Sequence, residues 1–552
     1  MNSKTKQSLS KSANPVRNSE SPAFVERARS DQQKLASGLD SNYDFIVCGS
    51  GSSGSVVARR LVENPDVSVL LLEAGGSDDV PGVTEANQCV FNLGSERDWN
   101  FRTQPNPHLN GRSIRSNMGK VLGGGSSINA MVWSRGHKND WDFFAAETGD
   151  AAWNYQSVLN TYRRIEDWHG APDPKYRGTG GPVFVQPAPD PNPVGPAMIE
   201  AARSVGIPTF ESPNGRMMEG PGGASLFDLL LRDGKRKSIF RAYTFPYTDR
   251  PNLTVLTNAM VTRITLEGKR ATGVEFVYNG QIHRIGAGLE VILSLGAIHT
   301  PKVLMLSGIG DQAELQALGI PVVQHLSGVG KNFQDHLAGV GCVWEYRRPL
   351  APRNNGAETT FFWKSDPSLD MPDLQPHLIE APVLNAEARA KINSPPDCWT
   401  LLVVVTGTKS RGQVRLASAN PDDPILIEPN TLSHPDDLKA AMACVQLCRE
   451  VGNSGPLRSF VKREVLPGNL KGQGLEDFIR QTAETCLHQT CTAKMGRDSM
   501  SVVDGNLKVY GIEKLRIADG SILPRVTTGN TMAPCVVIGE RAGEILRVAH
   551  GI

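Results

Sequence analysis

The sequence lacks the features that mark several large classes of protein. Its 58 Lys and Arg residues nearly balance 57 Asp and Glu residues, so it carries no electrostatic signature of nucleic-acid binding. No apolar run reaches the ~18 residues that span a membrane. The N-terminus also lacks the apolar core of a signal peptide. We therefore expect a cytoplasmic protein with no membrane span and no nucleic-acid partner.

Metal and disulfide chemistry find equally little support. The nine cysteines include no C-x-x-C pair and no Cys/His spacing typical of zinc. Cys486 and Cys491 flank His488, but two thiols and one imidazole do not complete a metal site. We expect reduced, buried cysteines and no metal.

What the chain does have is ordinary globular composition, with 552 residues of which 39% are hydrophobic and 21% charged. At ~150 residues per domain, this length suggests two to four structural units. Residues 1–42 form a polar extension whose first twenty residues are predicted to be disordered. A weak apolar stripe of Phe24, Val25, Ala28 and Leu35 predicts a short helix over Pro22–Gly38, which could dock on the protein's own surface.

A strand, a glycine-rich turn, a helix and a second strand follow this extension. YDFIVCG predicts a buried strand, and the helix is expected from Ser55 to about Glu63. VSVLLLEAGG, from Val67 to Gly76, predicts the second strand. This order of elements is the βαβ unit.

The turn in this unit has the spacing of a dinucleotide site. Gly49, Gly51 and Gly54 fill G-x-G-x-x-G, and they permit a tight turn, close approach of a pyrophosphate and close helix packing, respectively. Ser52 and Ser53 begin the helix whose free N–H groups would face the phosphates. Glu73 lies about 20 residues on, where an acid binds ribose hydroxyls. The motif alone does not separate FAD from NAD.

Six separated stretches resemble the glucose–methanol–choline (GMC) oxidoreductase family, and the resemblance runs from about Tyr43 to the C-terminus. The stretches are GKVLGGGSSINAMVWSRG (119–136), GAIHTPKVLMLSGIG (296–310), GVGKNFQDH (328–336), TKSRGQVRLAS (408–418), LHQTCTAKMG (487–496) and LRIADGSILP (515–524). This resemblance implies FAD and the oxidation of an alcohol by hydride transfer, as in bacterial alcohol dehydrogenases and oxidases.

The resemblance also implies an α/β fold with two intermixed domains. A Rossmann-like FAD-binding domain with a doubly wound sheet would gather residues 43–165, 235–340 and 483–552. An α+β substrate-binding domain built on an antiparallel sheet would gather residues 166–234 and 341–482. WTLLVVVTG and GQVRLAS are predicted strands of that second sheet, and the active site would lie between the domains.

Gly123, Gly124 and Gly125 remove three side chains in a row, so their backbone can lie flat against a planar flavin ring. By resemblance, Asn129 and its neighbours contact the flavin, the backbone near Val261 meets the adenine, and Asp519 and Gly520 contact the flavin and its chain. The full set of residues implied in this way is Val121, Gly124, Asn129, Ala130, Met131, Val132, Val261, Asp519, Gly520, Thr531 and Met532. Ile128 stands where some relatives attach FAD covalently through a histidine, so we expect dissociable FAD.

His488 matches the family's active-site histidine, and an imidazole suits the general base that takes the hydroxyl proton. The family usually places a second His or Asn across the substrate, and here Met532 stands at that position. Methionine is neither a base nor a hydrogen-bond donor. His488 acting alone, Asn530 reaching in from two residues away, and another polar group all remain open. We favour His488 acting alone or nearly so, with Met532 as a polarizable apolar wall.

The substrate is less defined. Trp344, Phe361, Phe362, Trp363 and Leu384 either line an apolar pocket or belong to the core, and the core interpretation is favoured. No anionic-aromatic cage is apparent, so aromatic, furanic or aliphatic primary alcohols are favoured over choline. Oxygen or a quinone-type acceptor would reoxidise the flavin. The alternatives are a hydroxynitrile lyase-like protein and a catalytically silent flavoprotein of the same fold.

Overall fold

The computed structural model describes residues 21–385, 388–389 and 395–552. The prediction for the first twenty residues lies outside these ranges. The predicted N-terminal helix is confirmed as α1 (Pro22–Ser37), which begins at Ser21 and buries Phe24 and Ala28. The side-chain amide of Gln32 donates to the carbonyl oxygens of Thr248 and Leu253. These contacts dock α1 on the surface of the protein.

The other helices follow in chain order. They are α2 (Ser52–Val62), α3 (Pro81–Thr84), α4 (Lys138–Thr148), α5 (Tyr155–Ile165), α6 (Val194–Ser204), α7 (Ile239–Tyr243), α8 (Gly296–Leu306), α9 (Gln312–Ala317), α10 (Pro435–Gly452), α11 (Gln473–Thr482) and α12 (Met532–His550). None of the helices in the described ranges has the length and apolar character needed to cross a membrane.

The strands are mostly short, and their bounds in chain order are as follows. They are β1 (Asn42–Cys48), β2 (Val69–Leu72), β3 (Phe101–Arg102), β4 (Arg115–Ser116), β5 (Val132–Trp133), β6 (Glu166–Trp168), β7 (Val183–Pro187), β8 (Gly223–Leu226), β9 (Asp228–Leu229), β10 (Leu231–Arg232), β11 (Lys235–Arg236), β12 (Leu253–Leu256), β13 (Met260–Glu267), β14 (Arg270–Tyr278), β15 (Gln281–Leu293), β16 (Ile309–Gly310), β17 (Gln324–His325), β18 (Leu337–Tyr346), β19 (Thr359–Phe362), β20 (His377–Ile379), β21 (Cys398–Val405), β22 (Gln413–Arg415), β23 (Leu426–Glu428), β24 (Val461–Leu466), β25 (Ala483–Thr485) and β26 (Leu515–Ile517).

The first large sheet is mixed and Rossmann-like, with the order β12-β2-β1-β15-β14-β13 and β26 paired to β15. The β12, β2, β1, β15 and β26 strands run parallel where they pair. The first half of β15 instead forms an antiparallel meander with β14 and β13. β1 and β2 are buried apolar strands, as expected for a parallel sheet covered by helices. The predicted βαβ unit is confirmed.

The second large sheet is antiparallel, with the order β24-β18-β21-β20-β19-β8 and β25 paired to β18. Trp344 of β18 and Trp399 of β21 stand directly opposite each other, and their rings stack with centroids 4.4 Å apart. This pair anchors a second hydrophobic core, distinct from the core around the first sheet. The predicted two-sheet α/β architecture is confirmed.

Two details differ from the sequence predictions. WTLLVVVTG forms β21 of the second sheet as expected, but GQVRLAS forms β22, which pairs only with β23. The reason is a competing backbone contact, since Val414 N donates to the carbonyl oxygen of Gly330 at 2.7 Å. The domain ranges stay a prediction. β18 of the second sheet crosses the boundary at residue 340, and β25 of the same sheet lies within the predicted FAD-binding range 483–552.

Candidate active site

The glycine turn between β1 and α2 is shaped by close backbone contacts. Gly49 has a φ of 97°, and a Cβ there would overlap the carbonyl oxygen of Ser294. A Cβ on Gly54 would overlap the carbonyl oxygen of Gly49. A Cβ on Gly51, by contrast, would meet nothing within 4 Å. Gly51 therefore presents open backbone, and phosphate groups can approach it closely.

The N-terminus of α2 continues this open surface. Gly51 is the N-cap residue, and no side chain caps the helix. Ser52 and Ser53 line the same cavity as Gly51. Because the first N–H groups of a helix lack partners within it, they attract anions. The sequence has left this end of α2 without a capping side chain, as a phosphate-binding helix requires.

Glu73 lies just past the end of β2 and is buried. One carboxylate oxygen accepts from N and Oγ of Ser50, at 3.0 and 2.7 Å, and the other accepts from Gly75 N at 2.9 Å. Burial raises the pKa of this carboxyl. Glu73 thus ties the glycine turn to β2 and lines the cavity beside it.

The second glycine block packs against the first. Gly123 and Gly124 have φ values of 88° and 52°, and a Cβ on Gly124 would lie 2.9 Å from Cα of Gly51. At Gly125 a Cβ would meet nothing within 4 Å, and this residue lines the cavity. The block thus offers bare backbone to a ligand, which fits a flat ring system.

Asn129 follows this block and is held by a buried arginine. Nη1 of Arg236 donates to Asn129 Oδ1 at 2.8 Å and to the carbonyl oxygen of Ser126 at 3.1 Å. The amide nitrogen of Asn129 lies 3.1 Å from Sδ of Met532. Burial lowers the pKa of Arg236 to about 10. Arg236 therefore fixes the orientation of a side chain in the cavity wall.

A single cavity of about 1100 Å³ reaches from the glycine turn to His488. Most of the residues predicted from the sequence line it. They are Gly49, Gly51, Ser52, Ser53, Glu73, Gly124, Asn129, Ala130, Val132, Val261, His488, Asp519, Gly520, Asn530, Thr531 and Met532. The helix end offers N–H donors, Glu73 offers a carboxylate and the two glycine blocks offer bare backbone, so the residues present fit FAD.

Three predicted cofactor residues do not line this cavity. Gly54 is turned against the backbone of Gly49. Val121 is buried in a small apolar cluster with Val83 and Ile128. Met131 has a φ of 59°, and its side chain packs in the hydrophobic core around the first sheet. These residues support the wall from behind, and their contact with the cofactor stays a prediction.

His488 meets a second histidine that the sequence prediction did not assign a role. Nδ1 of His488 lies 2.9 Å from Nδ1 of His336, and Nε2 of His336 lies 2.9 Å from the carbonyl oxygen of Thr527. A carbonyl only accepts, so Nε2 of His336 carries its proton. A neutral His336 then accepts at Nδ1, and His488 donates from its own Nδ1. Nε2 of His488 is left as an acceptor.

Asn530 reaches that acceptor. Its amide nitrogen lies 3.2 Å from Nε2 of His488, and its Oδ1 accepts from Gln375 Nε2 at 3.2 Å. The structure therefore brings His488 and Asn530 together, and the preference for His488 acting alone or nearly so stays a prediction. Met532 lies in the wall next to Asn129 rather than against His488.

Burial governs the protonation of these histidines. It lowers the pKa of His488 to about 4 and that of His336 well below the usual range. Asp335 accepts from the backbone N of His488 at 2.9 Å and from Oγ1 of Thr485, and burial raises its pKa to about 7. At neutral pH both histidines are therefore uncharged, and His488 can accept a proton.

A third histidine, His377 on β20, faces the cavity. Burial lowers its pKa to about 3, and its ring lies edge-on to Phe227 with centroids 5.3 Å apart. Nε2 of His377 is buried and has no hydrogen-bond partner among the described residues. Because buried polar atoms are normally paired, an unpaired nitrogen is unusual in a residue that lines the cavity.

The aromatic residues proposed for the pocket belong mostly to the core. Trp344, Phe361 and Phe362 are fully buried, and Trp363 packs against the second core. Leu384 does line the cavity. The core interpretation is therefore correct for four of the five residues. The apolar wall is supplied by Phe227, Ile379, Val383, Leu384 and Leu402.

Sequence reasoning missed His336, His377, Gln375 and Arg236. A signal existed for His336, since it ends GVGKNFQDH, one of the stretches that carry the family resemblance. The other three have no local motif. The second sheet brings His377 to the cavity, while Gln375 and Arg236 contact the cavity residues Asn530 and Asn129. Within the described residues the nine cysteines are free and no group of His, Cys, Asp and Glu can hold a metal.

Comparison with known proteins agrees with this geometry. Models of the GMC oxidoreductase family match residues 43–338 and 408–539. The chain is 36% identical over 542 residues to the mitochondrial choline dehydrogenase of Mus musculus, covering 92% of this chain and 89% of that protein. It is also 36% identical over 534 residues to an alcohol dehydrogenase (acceptor) of Pseudomonas putida, covering 91% and 95%.

The fold of this chain is also similar to that of proteins whose structures have been solved. The crystal structure of pyridoxine 4-oxidase from Mesorbium loti matches with a TM-score of 0.87 at 31% identity, covering 93% of this chain and 100% of that chain. The match therefore extends over most of the fold.

Proposed function

This chain belongs to the GMC oxidoreductase family, and from that premise we propose that it oxidises a primary alcohol to an aldehyde with His488 as general base. The family assignment makes it an FAD flavoprotein that acts on the CH–OH group of its donors.

The tautomer of His488 is the main support for its role as general base. The Thr527 carbonyl and His336 place the proton of His488 on Nδ1 and leave Nε2 as an acceptor in the cavity. The lowered pKa of His488 keeps this imidazole neutral at pH 7. A neutral imidazole whose lone pair faces the cavity is the form that a general base requires.

The neighbouring side chains position the hydroxyl. Asn530 donates to Nε2 of His488, so a substrate hydroxyl that enters there replaces this bond and receives the amide N–H on its oxygen. His377 offers a second partner through its unpaired Nε2. FAD, when bound, supplies the hydride acceptor at flavin N5. His488 takes the hydroxyl proton, and the two partners hold the oxygen while the aldehyde forms.

The cavity wall supports an aromatic, furanic or aliphatic primary alcohol. Phe227, Leu384 and Leu402 line it with apolar surface, and Met532 adds a polarizable wall. The solved relative named for pyridoxine agrees with an aromatic substrate. Choline is disfavoured because the described cavity wall includes no aromatic cage beside an unpaired carboxylate for a quaternary ammonium.

We also propose that FAD is bound without a covalent bond at Ile128. An isoleucine has no nucleophilic atom, and Ile128 packs against Val121 in an apolar cluster. Acid precipitation of the purified protein should release the yellow cofactor into the supernatant as intact FAD. Colour that stays with the precipitated polypeptide would contradict this proposal.

The experiment that tests the function is an anaerobic panel of alcohols read at the flavin absorbance, followed by admission of oxygen. We expect primary alcohols to bleach the flavin and to yield the aldehyde. Rapid return of the colour in oxygen would indicate an oxidase, and return only with a quinone would indicate a dehydrogenase. Failure of every alcohol to bleach the flavin, or release of cyanide from a hydroxynitrile without bleaching, would overturn the proposal.

A further inference from the structure

Two arginines face each other across a short hairpin at the cavity. β3 and β4 pair antiparallel, and their register sets Arg102 directly opposite Arg115. Directly opposite residues share one face of the ladder, with Cβ atoms roughly 4.5–5.5 Å apart. Both arginines are exposed and both line the cavity. Like charges directly opposite each other repel, so an anion bound between the two guanidinium groups would stabilise them.

The protein itself supplies no such anion in the part of the chain that the structure describes. Neither guanidinium forms an ion pair or hydrogen bond with a described residue. Nearby Arg112 already pairs with Glu484 at 2.7 Å. Glu484 is thus engaged with a different arginine of the same hairpin, and the charges of Arg102 and Arg115 stay without a counter-ion.

The two other carboxylates in the cavity wall are also engaged. Glu73 accepts from Ser50 and Gly75. Asp519 accepts from Gly296 N at 2.9 Å and from Oγ1 of Thr300 at 2.6 Å. Neither is paired with the hairpin, so this side of the cavity carries net positive charge.

The hairpin lies on the catalytic side of the cavity. Oγ of Ser116, next to Arg115, accepts from the side-chain amide of Gln489 at 2.9 Å, and Gln489 directly follows His488. The same hairpin is tied to the second sheet, because Nη1 of Arg112 donates to the carbonyl oxygen of Ala483 in β25 at 3.1 Å. The phosphate-binding surface at the start of α2 is a separate feature.

We propose that Arg102 and Arg115 bind an anionic group, a carboxylate or phosphate, carried by the alcohol that this enzyme oxidises. The inference rests on the proposed function and narrows its substrate class to alcohols with an acidic group at the end remote from the reacting carbon. Two guanidinium groups on the same face of the hairpin can each donate paired N–H groups to the oxygens of a carboxylate or phosphate. The same charges disfavour a cationic alcohol.

The anion that these two arginines bind could also be the pyrophosphate of FAD. The two sources are separated by measuring the FAD content of each variant beside its substrate affinity. The test variant is Arg102→Gln/Arg115→Gln, and the control is Arg348→Gln, which removes an exposed arginine that does not line the cavity.

Binding is measured first by calorimetry on the FAD-loaded proteins, with benzoate and phenyl phosphate as anionic probes and benzamide as the neutral probe. None of them is an alcohol, so this arm tests the anion site even if the proposed oxidation is wrong. We expect wild type and R348Q to bind at least one anion, and the double variant to bind it roughly 10–100-fold more weakly. Benzamide should not distinguish the three proteins.

Turnover is measured next with 4-(hydroxymethyl)benzoate and benzyl alcohol. The ratio of kcat/KM for the acid to that for benzyl alcohol should fall at least about tenfold in the double variant, through KM, and the preference should weaken with added salt. Anion affinities that are equal in all three proteins, or a double variant that has lost FAD instead, would overturn the inference. Benzyl alcohol that bleaches the flavin with no preference for the acid would overturn it while leaving the proposed function standing.

Discussion

His336 and His488 face each other through their Nδ1 atoms at 2.9 Å, although 152 positions separate them in the chain. The outer nitrogen of His336 is held by the carbonyl oxygen of Thr527. This carbonyl therefore determines which nitrogen of His488 carries the proton. If His488 is the base, as proposed, it is prepared by a backbone group that is not part of the cavity wall.

The chain of hydrogen bonds from the Thr527 carbonyl through His336 to His488, here called the tautomer relay, predicts the effect of His336→Leu. Without the acceptor at His336, Nδ1 of His488 loses the partner that holds its proton, and a fraction of the enzyme has the wrong tautomer. We expect kcat to fall by ~10–10³-fold, since the wrong tautomer of a catalytic histidine is costly. Rapid-mixing measurements of flavin reduction, with FAD content measured beside them, check this.

A merely structural role for His336 would be revealed by the substitution His336→Asn. Its amide oxygen can still accept from Nδ1 of His488, so part of the lost rate should return. Equal rates for the Leu and Asn variants, or loss of bound FAD in both, would contradict the relay.

The lowered pKa of His488 predicts how kcat/KM falls at acidic pH. The folded pKa is about 4 against a usual value of 6.5, so His488 stays neutral as pH falls through 6.5 and becomes protonated only towards pH 4. We expect kcat/KM to hold from pH 7 down to about pH 5, to be halved near pH 4, and to fall about tenfold per pH unit only below that. A limb with its midpoint at 6.5 or above would contradict this account.

The two glycines of the turn predict opposite outcomes for one added methyl group. In Gly54→Ala the Cβ overlaps the carbonyl oxygen of Gly49, so the free energy of unfolding of the apoprotein should fall by about 1–3 kcal/mol or more. In Gly51→Ala the Cβ enters open space in the cavity, so the apoprotein should keep its stability. FAD affinity should instead drop at least about tenfold, which is ~1.4 kcal/mol.

Chemical denaturation of the apoproteins and titration with FAD test this pair of glycines. Each variant serves as the control for the other. Unchanged FAD affinity in Gly51→Ala, or equal loss of apoprotein stability in both variants, would show that the open space at Gly51 is not where the phosphates lie.

The parts of the site that could be predicted from the sequence are those built from contiguous residues. The turn from Gly49 to Gly54, the acid at Glu73 and the block at Gly123–Gly125 each carry their own spacing. A short motif of this kind fixes local backbone shape, and the structure places Gly49, Gly51, Glu73, Gly124 and Gly125 around one cavity.

The rest depends on contacts between distant segments. Asn530 reaches His488 because the chain turns just before α12, and no residue spacing reports the direction of that turn. Trp344 and Phe361 lie in β18 and β19, where burial on both faces of the sheet decides their environment. Arg236 reaches Asn129 through the β10–β11 hairpin, which brings together residues 107 positions apart.

The most direct test of the central claim, that neutral His488 is the base, is anaerobic reduction of the flavin by a primary alcohol in His488→Gln. Glutamine keeps a polar side chain but accepts no proton at neutral pH. We predict reduction 10²–10⁴-fold slower than in wild type, as expected for loss of a general base, with FAD content unchanged and with His283→Gln, a histidine outside the cavity wall, behaving as wild type. Flavin reduction at the wild-type rate in folded, FAD-loaded His488→Gln would contradict the account.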